Sequence, residues 1–185
     1  MTRQEILAEA ALAPLRLFVP KADFSSLRTG RRVLFTGWLL TGRDAAHMRL
    51  ADMLSNGEPL PVSLEGETIY YTGPCPALPG QAIGSCGPTT SSRMDPMTPA
   101  LLDAGLIGMI GKGARYGSVR EKVMEKSAAY FAATGGAGAL LSRCITKCEC
   151  AAFPELGTEA IYRIYAEDFP AIVALDPNGT SIYDF

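Results

Sequence analysis

The stretch Ala128-Ala-Tyr-Phe-Ala-Ala-Thr134-Gly-Gly-Ala-Gly-Ala-Leu-Leu141 decides the fold. It is the longest apolar run of the chain. It falls short of the roughly 20 residues of a membrane span, and Gly135, Gly136 and Gly138 interrupt it. The reading that remains is a buried strand over Tyr130 to Ala133, which runs through TGG into a buried helix ending at Ser142. A strand followed at once by a helix points to an α/β arrangement.

The same alternation spreads outward. Upstream, Leu106 to Ile110 is a short apolar strand and GKGARYGS a glycine-rich loop. Ser118 to Lys126 is a helix with Ser118 at its N-cap and Glu121 three residues on, a capping-box pattern. Pro99 to Ala104 is helical, Gly73 to Gly87 is a Pro- and Gly-rich surface loop, and Thr68 to Thr72 (TIYYT) is β-rich. Asp44 to Leu54 is a helix, with Ala46, Leu50, Met53 and Leu54 on one face and Gly57 as its stop. Leu15 to Val19 and Arg32 to Leu40 read as strands, joined through one helical turn (FSSL) capped by Asp23 and ended by Gly30.

Downstream, Lys147 to Phe153, Ala160 to Ala166 and Ala171 to Leu175 read as three more strands. Asp176-Pro177-Asn178-Gly179 then turns the chain into Ser181 to Tyr183. There is no repeat and no low-complexity segment. Residues 1–185 therefore read as a single domain, with 1–14 as an N-terminal extension holding a short helix over Gln4 to Ala11. The expected class is α/β, helices packed on a mixed sheet.

The chain has 185 residues, 48% apolar and 19% charged, with 17 Lys+Arg against 19 Asp+Glu for a net charge of −2. That excludes a disordered chain and removes the electrostatic case for nucleic-acid or anionic-membrane binding. Glu5 and Glu9 interrupt the N-terminal segment, so it does not read as a secretory signal. A cytoplasmic setting is expected, with five reduced cysteines.

Several glycine-flanked loops carry polar groups. In Thr41-Gly42-Arg43-Asp44-Ala45-Ala46-His47, Arg43 and His47 are four apart at a helix start, where a guanidinium beside free N–H groups makes an anion site. The alternative there is Asp44 as N-cap and a structural histidine. Gly87-Pro88-Thr89-Thr90-Ser91-Ser92-Arg93 supplies four hydroxyls and a bidentate carboxylate partner, or an ordinary turn with capping hydroxyls. Gly111-Lys112-Gly113 offers a point charge on a loop that lacks the spacing of a Walker loop. Thr134-Gly135-Gly136-Ala137-Gly138 lacks the third glycine of a dinucleotide fingerprint; a glycine-rich helix start touching a carboxylate remains open. Cys144, Cys148 and Cys150 do not have zinc or ferredoxin spacing and read as buried structural thiols. Convergence of Arg43, Arg93 and Lys112 on one small dianion would explain all three cations. No catalytic pair accompanies them, which suggests a missing partner.

These segments together carry a recognisable pattern. TGRDAAHMRL (41–50), LPVSLEGETIYYTGP (60–74), GSCGPTTSSRMD (84–95), GLIGMIGKG (105–113), YFAATGGAGALLS (130–142) and FPAIVALDPNGTSIY (169–183) resemble the β-subunit of class I fumarate hydratases. That family also holds L(+)-tartrate dehydratase β-subunits and the carboxy-terminal domains of single-chain class I fumarases. The resemblance implies a swivelling β/β/α domain. It also implies an α-subunit partner, in a heterotetramer of two α and two β chains. Three cysteines of that partner hold a [4Fe–4S] cluster whose open iron acts as a Lewis acid in the addition of water to fumarate. Carried over by position, Arg43, Arg93 and Lys112 contact the substrate, and Thr89 is the base acting on the carbon next to the carboxylate. Thr90, Gly135 and Gly136 join them as substrate-binding positions, and His47 is in the site or just behind it. Tartrate or mesaconate dehydratase β-subunits are the neighbouring alternatives, and a non-catalytic anion-binding module is the alternative of another class.

Overall fold

The computed structural model describes residues 1–185. Its strands are β1 (Leu15–Val19), β2 (Arg32–Thr41), β3 (Thr68–Tyr70), β4 (Gly108–Gly111), β5 (Ala129–Ala132), β6 (Ile145–Ala152) and β7 (Ile161–Leu175). They form one mixed sheet in the order β1-β2-β3-β4-β5-β7-β6, and β2 also pairs with β7. That extra pairing closes β2, β3, β4, β5 and β7 into a five-stranded, barrel-like ring. Strands β1 to β5 run parallel, while β7 is antiparallel to β2, β5 and β6.

Strands β3, β4 and β5 are buried on both faces, which is why TIYYT, LIGMI and AAYFA are nearly continuous apolar runs rather than alternating ones. Phe35, Leu39, Tyr70, Ile110, Phe131, Phe169 and Val173 belong to one core cluster, inside the ring. Phe131 takes Phe24 and Phe35 edge to face, at centroid distances of 5.1 and 4.8 Å. The residues between them in sequence, Ile69, Tyr71, Met109 and Tyr130, join a second cluster on the outside. There they meet Leu50 of α2 (Asp44–Ser55), Leu101 and Leu102 of α3 (Thr98–Asp103), and Val119 and Val123 of α4 (Ser118–Glu125).

Some elements differ from the sequence expectation, each for a local reason. FSSL is a turn and not a helical one: Leu27 N–H donates to Phe24 O and Ser25 N–H to Asp23 Oδ1. Ser118 is not the N-cap of α4; Gly117 is, with no side-chain cap bond. The helix after TGG, α5, spans only Gly138–Leu141. The segments 160–166 and 171–175 belong to one 15-residue strand, β7. The left-handed backbone of Asp168 (φ 50°) and the neighbouring Pro170 sit in mid-strand, where Asp168 N–H donates to Thr36 Oγ1 at 3.2 Å. The 176–179 turn forms as expected: Asp176 Oδ1 accepts from Asn178 N–H and Thr180 N–H. Helix α1 (Arg3–Ala11) is held by a Thr2/Glu5 capping box and by Glu9 on Arg31, but it buries none of its residues. No helix is long and apolar enough to cross a membrane.

Candidate active site

The parallel strands β2, β3, β4 and β5 end at the same rim of the ring, and each leads into one of the loops singled out by sequence. Loops at the carboxyl ends of parallel strands are where α/β folds bind ligands. Arg43 follows β2, and Lys112 and the Gly135-Gly136 turn follow β4 and β5. The long 71–90 loop after β3 returns to its own strand, since Thr89 N–H donates to Tyr71 O at 2.8 Å. It then pairs with the next loop: Lys112 N–H donates to Thr89 O at 3.2 Å and Ser91 N–H to Lys112 O at 2.9 Å. Thr90 and Lys112 thereby form a parallel bridge. Glycine makes this approach possible, because a Cβ on Gly111 would collide with Ser91 Oγ.

Arg43, Asp44, Thr89, Arg93 and Glu159 form one cluster. Arg93 Nη2 donates to Thr89 Oγ1 at 2.6 Å and to Asp44 Oδ2 at 3.1 Å. Arg43 Nε donates to the same Asp44 oxygen at 3.1 Å and stands 3.5 Å from Glu159 Oε1. Lys112 forms none of the ion pairs of this cluster. Its side chain lies beside the TGG loop, where a Cβ on Gly135 would stand 3.5 Å from Cδ and 3.9 Å from Nζ. Three cations face two carboxylates here, so the rim keeps a local excess of one positive charge in a chain whose net charge is −2. Partial burial pushes the Asp44 carboxyl upward, but its own backbone N–H, Arg43 and Arg93 outweigh that and hold it below the usual carboxylate range.

The start of α2 is not the open anion site its sequence suggests. Arg43, not Asp44, is the N-cap, and Ala45 N–H is taken by Glu159 Oε2 at 3.0 Å. His47 lies behind the cluster, with no solvent exposure. Its Nδ1 stands 3.0 Å from Arg43 O, its Nε2 has no partner, and its ring meets Tyr71 edge to face at 5.0 Å. Burial drives its pKa down to about 4, against the bond to the Arg43 carbonyl. The ring is therefore neutral near pH 7, with Nδ1 as the donor.

Beneath the loops lies a polar knot with no sequence signal. Arg115 is buried, its guanidinium 5.3 Å from the ring centroids of both Tyr71 and Tyr130. It donates from Nε to Asp95 Oδ1 at 2.5 Å, from Nη2 to Thr98 Oγ1 at 2.7 Å and from Nη1 to Tyr71 OH at 3.2 Å. Tyr130 OH donates to Gly113 O at 2.7 Å and lies 2.9 Å from Ser91 Oγ. The knot joins the short 3-10 turn that carries Arg93 (Ser91–Met94) to the loop that carries Lys112. An arginine in GKGARYG reads as a solvated loop residue, and nothing in the sequence pairs it with Asp95.

The cysteines differ from their expectation. Only Cys86 is buried; Cys144 and Cys148 are half-buried, and Cys75 and Cys150 are exposed, all as free thiols. The β6 strand lies on the outer side of β7, so its side chains are only partly covered. Burial, then the neighbouring thiols, pushes Cys86 up to about 12. No group of three or more His, Cys, Asp or Glu side chains gathers as a metal ion would require.

Comparison with known proteins supplies the family. The model of the fumarase C-terminus matches residues 9–185. The chain is 38% identical over 165 residues to fumarate hydratase 2 of Leishmania major, covering 88% of this chain and 29% of that protein. It is 37% identical over 164 residues to the aerobic class I fumarate hydratase of Escherichia coli K12, covering 88% of this chain and 30% of that one. A putative L(+)-tartrate dehydratase β-subunit of Methanocaldococcus jannaschii is 33% identical over 170 residues, covering 89% of this chain and 87% of its own length. The chain thus spans about 30% of the first two relatives and most of the third. With its residues matched almost end to end, the chain belongs to the fumarase C-terminus family and carries the β-type domain of class I fumarate hydratases.

Proposed function

We propose that this chain is the β-subunit of a two-subunit iron–sulfur hydro-lyase that interconverts fumarate and (S)-malate in the cytoplasm. The observation that carries the reading is the rim cluster: Arg43 and Arg93 joined on one side of Thr89, and Lys112 paired through its backbone to Thr89 on the other. Two guanidiniums and an ammonium suit the two carboxylates of a short dianion. Thr89 Oγ1 accepts from Arg93, which favours the alkoxide, the form that can act as a base. In dehydration the Thr89 alkoxide takes the proton from the carbon next to a carboxylate of malate, and the hydroxyl leaves the adjacent carbon with its bonding pair as the double bond forms; in hydration the hydroxyl adds back and Thr89 returns the proton to fumarate.

In this proposal the [4Fe–4S] cluster is held by an α-subunit and not by this chain. When bound there, the cluster supplies Lewis acidity toward the substrate hydroxyl. The domain would swivel toward that partner as a β/β/α unit, in an α2β2 assembly. L(+)-tartrate is the second reading, favoured by the Methanocaldococcus relative that this chain covers nearly end to end. The pockets would differ by one hydroxyl, a small change for such a site; mesaconate stands beside it.

Anaerobic co-expression with a candidate α-chain, followed by loss of fumarate ultraviolet absorbance, tests the proposal. Turnover only with both chains and iron is the expected result. A stable, cluster-loaded complex that ignores fumarate but dehydrates tartrate would move the substrate. A chain that hydrates fumarate alone would end the two-subunit reading.

A further inference from the structure

Asp44 stands between the two arginines of the rim. One of its oxygens, Oδ2, lies 3.1 Å from Arg43 Nε and 3.1 Å from Arg93 Nη2. Two guanidiniums brought that close repel each other unless an anion stands between them. The carboxylate is fixed at the first residue of α2, where the helix N-terminus also favours negative charge. Within the cluster, Arg43 uses only Nε and Arg93 only Nη2, so the remaining N–H groups of both stay available to a ligand.

We propose that Asp44 is a positioning residue, whose Oδ2 ties Arg43 to Arg93 and presents the two guanidiniums as one preassembled receptor for a carboxylate group of the ligand. The identity of that ligand as a dicarboxylate rests on the function proposed above; the tie itself does not. Without Asp44 the two cations separate, and an incoming carboxylate must regroup them, which weakens binding. The opposing view makes Asp44 a competitor that occupies the arginines, so that its removal tightens binding.

The test is Asp44→Asn in the full chain, read by the NMR signals of the arginine Nε–H groups, with succinate as the non-reacting probe. Asp44 is partly exposed and Asn is nearly isosteric, so backbone amide signals away from the rim should stay in place. The expected result is that the Arg43 and Arg93 signals both move, although Arg93 is 49 residues from the substitution. The succinate dissociation constant should rise about tenfold, the scale of one lost charge-assisted contact. In Asp44→Ala, formate should restore part of the affinity by entering the vacated position. An unmoved Arg93 signal would overturn the tie, and unchanged or tighter succinate binding in Asp44→Asn would overturn the positioning role. A wild-type chain that binds no succinate would count against the dicarboxylate reading, while the Arg93 signal would still decide the tie.

Discussion

Arg93 donates through Nη2 to Thr89 Oγ1 across 2.6 Å, one turn away in sequence, and fixes the lone-pair side of that hydroxyl. In the proposed reaction this threonine carries the proton. Replacing Thr89 by Ala or Val should lower kcat of the assembled enzyme by about 10²–10⁴ with KM changed far less, the range for a general base. Thr89→Ser should keep a large part of the activity. Single-turnover kinetics, which separate the chemical step from product release, check this.

Arg93 itself should matter more to the transition state than to folding. Its side chain is 46% exposed, so Arg93→Ala should leave the melting temperature nearly unchanged. It should cost ~2–3 kcal/mol in kcat/KM as a lost charged contact. Arg93→Lys should not restore it, because a point charge cannot serve Thr89 and Asp44 as the planar fork does. Equal kcat/KM in the Ala variant would remove Arg93 from the site.

Gly73 has a spatial role. A Cβ there would lie 3.1 Å from Arg43 Cδ and 3.1 Å from Thr158 O. Gly73→Ala should push the Arg43 side chain aside and raise KM severalfold, with little effect on the unfolding midpoint. Arg43→Ala in the same background should then add less than it does alone, as expected for coupled neighbours.

The knot beneath the loops should carry stability. Arg115 is wholly buried and Asp95 nearly so, at 16% side-chain exposure. Arg115→Met removes one partner and leaves Asp95 uncompensated, which should cost ~3–5 kcal/mol. Asp95→Asn should cost less, because Asn still accepts from Arg115. Denaturant unfolding measures both.

His47 makes the fold sensitive to acid. Its folded pKa, about 4, lies below the ordinary histidine value of 6.5. As the pH falls, the unfolded chain takes up a proton near 6.5 and the folded chain only near 4, so acid favours unfolding across that window. The loss between pH 7 and pH 4 should be on the order of 3 kcal/mol from this group. His47→Gln should flatten the stability profile over the same range; a slope unchanged by the substitution would assign the acid sensitivity to other groups.

Much of the architecture is legible in the sequence because burial writes periodicity. Helix α2 runs Asp44–Ser55 against an expected 44–54, and β1 and β2 match to within a residue. What hides β7 is its mid-strand irregularity: Asp168 and Pro170 imitate a boundary, and only pairing to β2 shows that the strand continues. The three cations are legible because each sits in a polar segment that opens on a glycine, Gly42, Gly87 or Gly111. Their anionic counterparts are not: Glu159 reaches Ala45 across 114 residues, and Asp95 finds Arg115 across 20. Local pattern names the ends of such contacts but not their pairing.

Helix α1 buries nothing, and that has a consequence for how the protein is assembled. The helix end touches the rest of the domain at its surface, through Glu9 on Arg31 and Leu12 O on Arg32, so a polypeptide joined at this end leaves the two core clusters untouched. Fused and separate versions of the domain can then share one thermodynamic core and differ only in how they meet their other half. A tethered domain encounters it at an effective concentration in the millimolar range, whereas a free chain depends on expression level. In the proposed two-subunit reading, matched synthesis of the two chains would set how much enzyme exists, with no change to any residue of the site.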